Sequence, residues 1–289
     1  MNPPAITIPQ VPAETYLYHT TLAPRPKLIL IGDSITEQGS ASAEGWVTSL
    51  SIRYNRRLDV INRGMNGYNS QWGMAALPLI LEDILGTRLD NDAPTCINHD
   101  CMDQTGFDKL FSQYTFVIGY GANDSCLPNG SCFRHHVPLD VYSSNIKQMV
   151  QMIQSWNKSN VTVALLTPPP CDTNVRKESR DNENVTALYA EKCIEVATEM
   201  NVPVVDLWNG MQLPLTDADS NNYGDKWKQD YLSDGLHLTP LGNFKLFQLV
   251  SETLETLLGL TIEGLPRHYP DHSLIDSECP RKTFDTSIK

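Results

Sequence analysis

Five short apolar, β-branched runs alternate with longer stretches of helical periodicity, and this alternation constrains the 289-residue chain more than any other feature. The strand-like runs are residues 27–32, 58–62, 114–120, 161–167 and 202–207. Helical spacing fills residues 44–56, 71–85, 141–157 and 184–201. A last helix is predicted over 240–258, with Pro240 suited to its first turn. When a helix separates two strands it carries the chain back over the sheet, so the second strand runs parallel to the first. Repetition of that unit predicts an α/β chain, a three-layer α/β/α sandwich around a five-stranded parallel sheet. At 40% hydrophobic residues, the chain has the apolar material such a core needs.

Two stretches break the rhythm. Residues 86–113 are polar, hold two cysteines and read as an insertion before the third strand. Residues 261–289 are polar and contain proline, and read as a tail packing as a loose arm. The expected organisation is a Pro-rich extension over 1–26, one domain over 27–260 and that tail. No internal repeat or low-complexity tract interrupts it.

Charge and hydropathy narrow the partners. Thirty-four acidic residues against twenty-two basic ones leave a net charge of −12, without the basic footprint that phosphate backbones demand. Nucleic acid is therefore excluded as an expected partner, and a small molecule favoured. The longest apolar runs, residues 28–31 and 163–166, are far too short to span a bilayer. Residues 1–26 hold no apolar run of signal-peptide length, so a cytoplasmic chain is expected. Oligomeric state leaves no mark in the sequence.

Seven cysteines complicate that expectation, because Cys96 and Cys101, like Cys126 and Cys132, sit close together in polar segments. A zinc site built from these with His99, His135 and His136 has the wrong spacing. Cys96-x2-His99-x-Cys101 is unfamiliar, and Cys126-x5-Cys132 is wider than a zinc knuckle. Disulfides or free thiols are the expected states, their pairing open, and no metal or organic cofactor is expected.

Open parallel sheets bind ligands at the carboxyl ends of their strands. Gly32-Asp33-Ser34 follows the first strand, where a glycine allows a tight turn and the serine hydroxyl can stand exposed. Gly64–Asn69 follows the second, with Gly67 able to offer a backbone N–H. Gly121-Ala122-Asn123-Asp124 follows the third, with an amide able to donate to an oxyanion. Asp234-Gly235-Leu236-His237 precedes the last helix, spaced so that the carboxylate can hold the imidazole. Each block alone is ordinary turn chemistry, since Asp, Asn, Ser and Gly are the common turn residues.

Together and in order, Gly32-Asp33-Ser34, Gly67, Gly121-x-Asn123-Asp124 and Asp234-x-x-His237 resemble the four sequence blocks of the SGNH hydrolases, the GDSL enzymes. Within that superfamily, residues 28–37 and 63–70 resemble the isoamyl-acetate-hydrolysing esterases. The likeness covers residues 27–258 apart from 86–113 and the loop at 125–137. It implies the flavodoxin-like SGNH hydrolase fold. It also implies Ser34 as nucleophile, His237 as general base, Asp234 as its orienting acid, and an oxyanion hole from the N–H groups of Ser34 and Gly67 with the Asn123 amide. The implied activity is hydrolysis of short-chain, acetate-type carboxylic esters through an acyl-serine intermediate.

Two other readings compete, and two lookalikes are set aside. One is an O-acetylesterase acting on carbohydrate, or another acyl hydrolase or transferase on the same fold. Trp46, Tyr68, Trp72 and Tyr120 lie near the site loops and could stack on a sugar. Another is a non-catalytic binding module, against which the presence of every reacting group argues. A dinucleotide site at Gly119-Tyr-Gly121 fails because Asp124 stands where a third glycine belongs. The larger α/β-hydrolase fold is disfavoured by the lack of a G-x-S-x-G elbow.

Overall fold

Leu28 and Leu30 face one side of the first strand and Ile29 and Ile31 the other, and all four are buried. A strand buried on both faces must be roofed on both, which calls for helices above and below it. The computed structural model describes residues 18–19, 25–86, 114–156, 161–215, 223–256, 258–265, 267–279 and 281. Strands β1 (Lys27–Gly32), β2 (Asp59–Gly64), β3 (Tyr114–Gly119), β4 (Val161–Leu166) and β5 (Val204–Val205) form one sheet in the order β2-β1-β3-β4-β5, every pair parallel. This is the flavodoxin-like strand order, in which β2 is added on one side of β1 and the later strands on the other.

The helices are α1 (Ser34–Gln38), α2 (Trp46–Arg53), α3 (Ser70–Leu85), α4 (Leu139–Trp156), α5 (Thr173–Arg176), α6 (Ala187–Glu199), α7 (Leu207–Met211), α8 (Trp227–Tyr231) and α9 (Pro240–Thr256). On one face Leu28, Leu30 and Val117 meet Trp46 and Leu50 of α2 and Leu246, Val250 and Leu254 of α9. On the other, Ile29, Ile31 and Phe116 meet Leu77 of α3, Ile146 and Met149 of α4 and Val196 of α6. Each such aliphatic side chain contributes roughly 1.5–3 kcal/mol relative to exposure. The layers are those expected of a three-layer α/β/α sandwich. Among the described residues no helix is long and apolar enough to cross a membrane.

The element boundaries move where local chemistry overrides periodicity. The fifth strand was expected over 202–207 but holds only Val204 and Val205. Asp206 ends it by turning its carboxylate onto the N–H of Asn209, 3.1 Å away, and so capping α7. The helix expected from 184 begins as a π-turn over Asn182–Thr186, where Asp181 accepts from the Asn184 N–H at 3.0 Å. Apart from Gly86, the insertion at 86–113, with Cys96, His99 and Cys101, lies outside the described residues.

The segment after residue 260 is not loose at its start. Leu260, Ile262 and Leu265 are buried in the core face that α2 and α9 cover. Arg57 donates to the Leu265 carbonyl, and the Arg56 guanidinium donates to the carbonyls of His268 and Pro270, each at 3.1 Å. Residues 267–268 pair in parallel with residues 18–19. Leu265→Ala should therefore destabilise the fold by about 2–5 kcal/mol, the cost of a buried leucine cavity. Leu274→Ala, at an exposed position, should cost little. Urea unfolding measures both, and equal small effects would show that this segment does not hold the core.

Candidate active site

Ser34 opens α1 directly after β1, because Asp33 caps that helix by accepting from the Ile35 N–H at 2.9 Å. The cap turns the chain sharply and leaves the serine side chain at the carboxyl end of the sheet, only 4% exposed. His237 arrives from the loop before α9, where an antiparallel bridge between Leu232 and Leu238 closes the turn. Its Nε2 lies 2.9 Å from Ser34 Oγ. Its Nδ1 lies 2.8 Å from Asp234 Oδ2. An ionised carboxylate can only accept, so Nδ1 carries the ring proton and Nε2 is left to accept from the serine hydroxyl.

Asp234 is held from three sides. Its Oδ1 accepts from the N–H groups of Leu236 (3.1 Å) and His237 (2.8 Å), and Arg176 Nη2 stands 2.5 Å from Oδ2. Partial burial alone would raise its pKa. The hydrogen bonds from His237 and Arg176 outweigh that and hold the carboxyl well below the usual carboxylate range. The group stays ionised wherever the histidine can act as a base.

Gly67 and Asn123 lie in the loops that follow β2 and β3. Gly67 sits in a turn closed by Tyr68 N–H donating to the Met65 carbonyl at 3.1 Å, with φ +76°, where a side chain would be strained. The neighbouring Asn66 N–H is pinned by Glu37 Oε2 at 2.5 Å. Gly121, at φ +127°, turns the chain out of β3. Asn123 follows, 6% exposed, and its Nδ2 donates to the Tyr68 carbonyl at 2.8 Å. That bond joins the loop after β2 to the loop after β3. All four sequence blocks thus converge on one end of the sheet.

Comparison with known proteins identifies the family. Residues 30–243 match the GDSL-like lipase/acylhydrolase family. The chain belongs to this family. A GDSL esterase/lipase of Arabidopsis thaliana is 33% identical over 90% of this chain and 98% of its own length. The isoamyl acetate-hydrolyzing esterase 1 homolog of Rattus norvegicus is 37% identical over 88% of this chain and 90% of its own. The lipase/acylhydrolase from Enterococcus faecalis superposes with a TM-score of 0.55 at 23% identity, over 80% of this chain and 96% of that one, a likeness of fold. Membership of the GDSL family makes the chain a carboxylic ester hydrolase by class.

Two residues around this GDSL site, Arg176 and Arg180, carry no signal of their own in the sequence. Arg176 lies on α5, and Arg180 is buried just beyond it. Beneath the serine lie two buried carboxylates, Asp33 and Asp124. Asp124 accepts from the Ser70 N–H, the first of α3, at 3.0 and 3.1 Å, and Ser70 Oγ in turn accepts from Asn145 Nδ2 at 3.0 Å. Cys126 and Cys132 form a disulfide, and His136 Nδ1 lies 2.7 Å from the Cys126 carbonyl. Among the described residues no cluster of His, Cys, Asp or Glu could hold a metal ion. Of the aromatics, Trp46 and Tyr120 are core, Trp46 donating to the Ile35 carbonyl at 2.9 Å. Trp72 is 39% exposed and packs edge-on against Tyr68 and His135.

Burial pushes the Asp33 carboxyl up from 3.8 to about 7; the Ile35 N–H opposes this, Asp124 adds to it and Arg180 opposes it. Burial likewise raises Asp124 to about 6, against its bonds to Ser70. Between roughly pH 4 and 7 the folded chain then holds an Asp33 proton that the unfolded chain has released, so this group makes stability fall as pH rises through that window. Asn at position 33 keeps an acceptor for the Ile35 N–H without the buried charge. Asp33→Asn should therefore decline less than the parent in Tm across that window. Parallel Tm–pH curves for the two proteins would refute the assignment.

Proposed function

We propose that this enzyme hydrolyses short-chain, acetate-type carboxylic esters through an acyl-serine intermediate on Ser34. The observation that carries the reading is the hydrogen-bonded series from Ser34 Oγ through His237 to Asp234, at 2.9 and 2.8 Å. As Ser34 Oγ bonds to the ester carbonyl carbon, its proton passes to His237 Nε2 and the carbonyl electrons move onto oxygen. That oxyanion is received by the N–H groups of Ser34 and Gly67 and by the Asn123 amide. Collapse expels the alcohol, which takes the proton from His237. A water then gives its proton to His237 and attacks the acyl carbon, and the released Ser34 oxygen recovers that proton. Asp234 holds the ring and stabilises its charged form.

One observation supports a short acyl group: the rat relative is named for isoamyl acetate hydrolysis. One feature favours a second reading, an acetylated carbohydrate as substrate: the half-exposed Trp72 beside Tyr68, a surface on which a sugar ring can stack.

Ser34→Ala should abolish p-nitrophenyl acetate hydrolysis while leaving the fold intact, and wild-type turnover by the folded variant would refute the assignment. Asn123→Ala should lower kcat by about 10²–10³. A series of p-nitrophenyl esters of rising chain length should show kcat/KM highest at the short end. A preference for long chains would remove the acetate reading, and a higher kcat/KM on an acetylated sugar would replace it with the second.

A further inference from the structure

The Asn123 side chain has two nearly isosteric ends, and only one of them can stabilise an oxyanion. A half-turn of the amide would present Oδ1, an acceptor, to the developing negative charge. Something must choose the orientation. Tyr68 supplies half of the choice, since its carbonyl takes one Nδ2–H at 2.8 Å. On the other side lies Arg180, 5% exposed, its Nη2 3.4 Å from Asn123 Oδ1 and its Nη1 donating to the carbonyl of Ala122. A guanidinium has donors only, so it accepts Oδ1 as neighbour and rejects the amide nitrogen.

We propose that Arg180 is the positioning residue of the oxyanion hole, holding the Asn123 amide so that its second N–H points at the ester oxygen. Its fixed fork spans the Ala122 carbonyl and the Asn123 side chain together, which a lysine's single nitrogen cannot do with the same geometry. The backbone that presents it is equally fixed. Arg180 N–H donates to the Arg176 carbonyl at 2.8 Å, Leu127 N–H to the Ser179 carbonyl at 2.8 Å, and Ser131 N–H to the Glu178 carbonyl at 2.7 Å. From the same turn, Arg176 Nε donates to the Asp234 carbonyl at 2.8 Å. One short segment thus aims the oxyanion donor and braces the acid of the triad. None of this belongs to the four blocks by which the family is recognised.

The inference rests on the esterase reading, and a double-mutant cycle separates the two. With p-nitrophenyl acetate, Arg180→Lys should lower kcat about tenfold or more, the size of one charged hydrogen bond lost in the transition state. KM should stay within about twofold. In the Asn123→Ala background the same change should lower kcat no further, because there is no amide left to aim. Equal losses in both backgrounds, or an unchanged kcat in the parent, would overturn the proposal alone. Wild-type turnover by Ser34→Ala would overturn the site reading beneath it as well. Should Arg180→Lys not fold, Arg180→Gln is read in the same cycle, and failure of both to fold overturns the proposal by making the residue purely structural.

Discussion

Three parallel strands of this chain end on glycine at one level, Gly32 of β1 paired with Gly64 of β2 on one side and Gly119 of β3 on the other. Everything at the site depends on that register. Parallel pairing fixes the three carboxyl ends side by side, so the loops that follow leave the sheet together and must meet. A slip of one residue in any of them would exchange the side chains that meet the two helical layers and carry its loop away from the others. The loops that carry Ser34, Gly67 and Asn123 leave the sheet side by side because the ladder makes them so.

Beneath those loops the molecule accepts an electrostatic cost. Asp33 and Asp124 are both buried, and Arg180 is buried with them. Each carboxylate has a local task, one capping α1 and one meeting the first N–H of α3, where the helix dipole favours an acid. The buried arginine supplies opposite charge to both and, through its fork, geometry. A neutral layer would be cheaper to bury, but it would leave both helix starts and the amide of Asn123 without fixed partners.

Much of this was readable in the sequence. The alternation of apolar runs predicted the sheet and its parallel sense, and the four small-residue blocks singled out Ser34, Asp234 and His237, which the structure brings within hydrogen-bond distance of one another. The misses share a cause. Val202–Leu207 looked like a full strand because apolar composition does not reveal that Asp206 caps the next helix. Arg176 and Arg180 sit in a charged stretch, Arg176-Lys-Glu-Ser-Arg180, that reads as solvated surface, since only tertiary contacts show which of its charges turn inward. The segment after 260 looked like an arm because three apolar residues spread among polar ones have no period.

The core face formed by Leu28 and Leu30 is completed by Leu246, Leu254 and Leu265, which lie more than two hundred residues further along the chain. During synthesis β1, α2 and β2 emerge first, and α2 alone can cover that side until nearly everything else has been translated. His237 also emerges late. The nascent protein therefore carries a half-covered apolar sheet face and an unactivated serine for most of its time on the ribosome, and acquires a closed core and a reactive centre almost at the same moment.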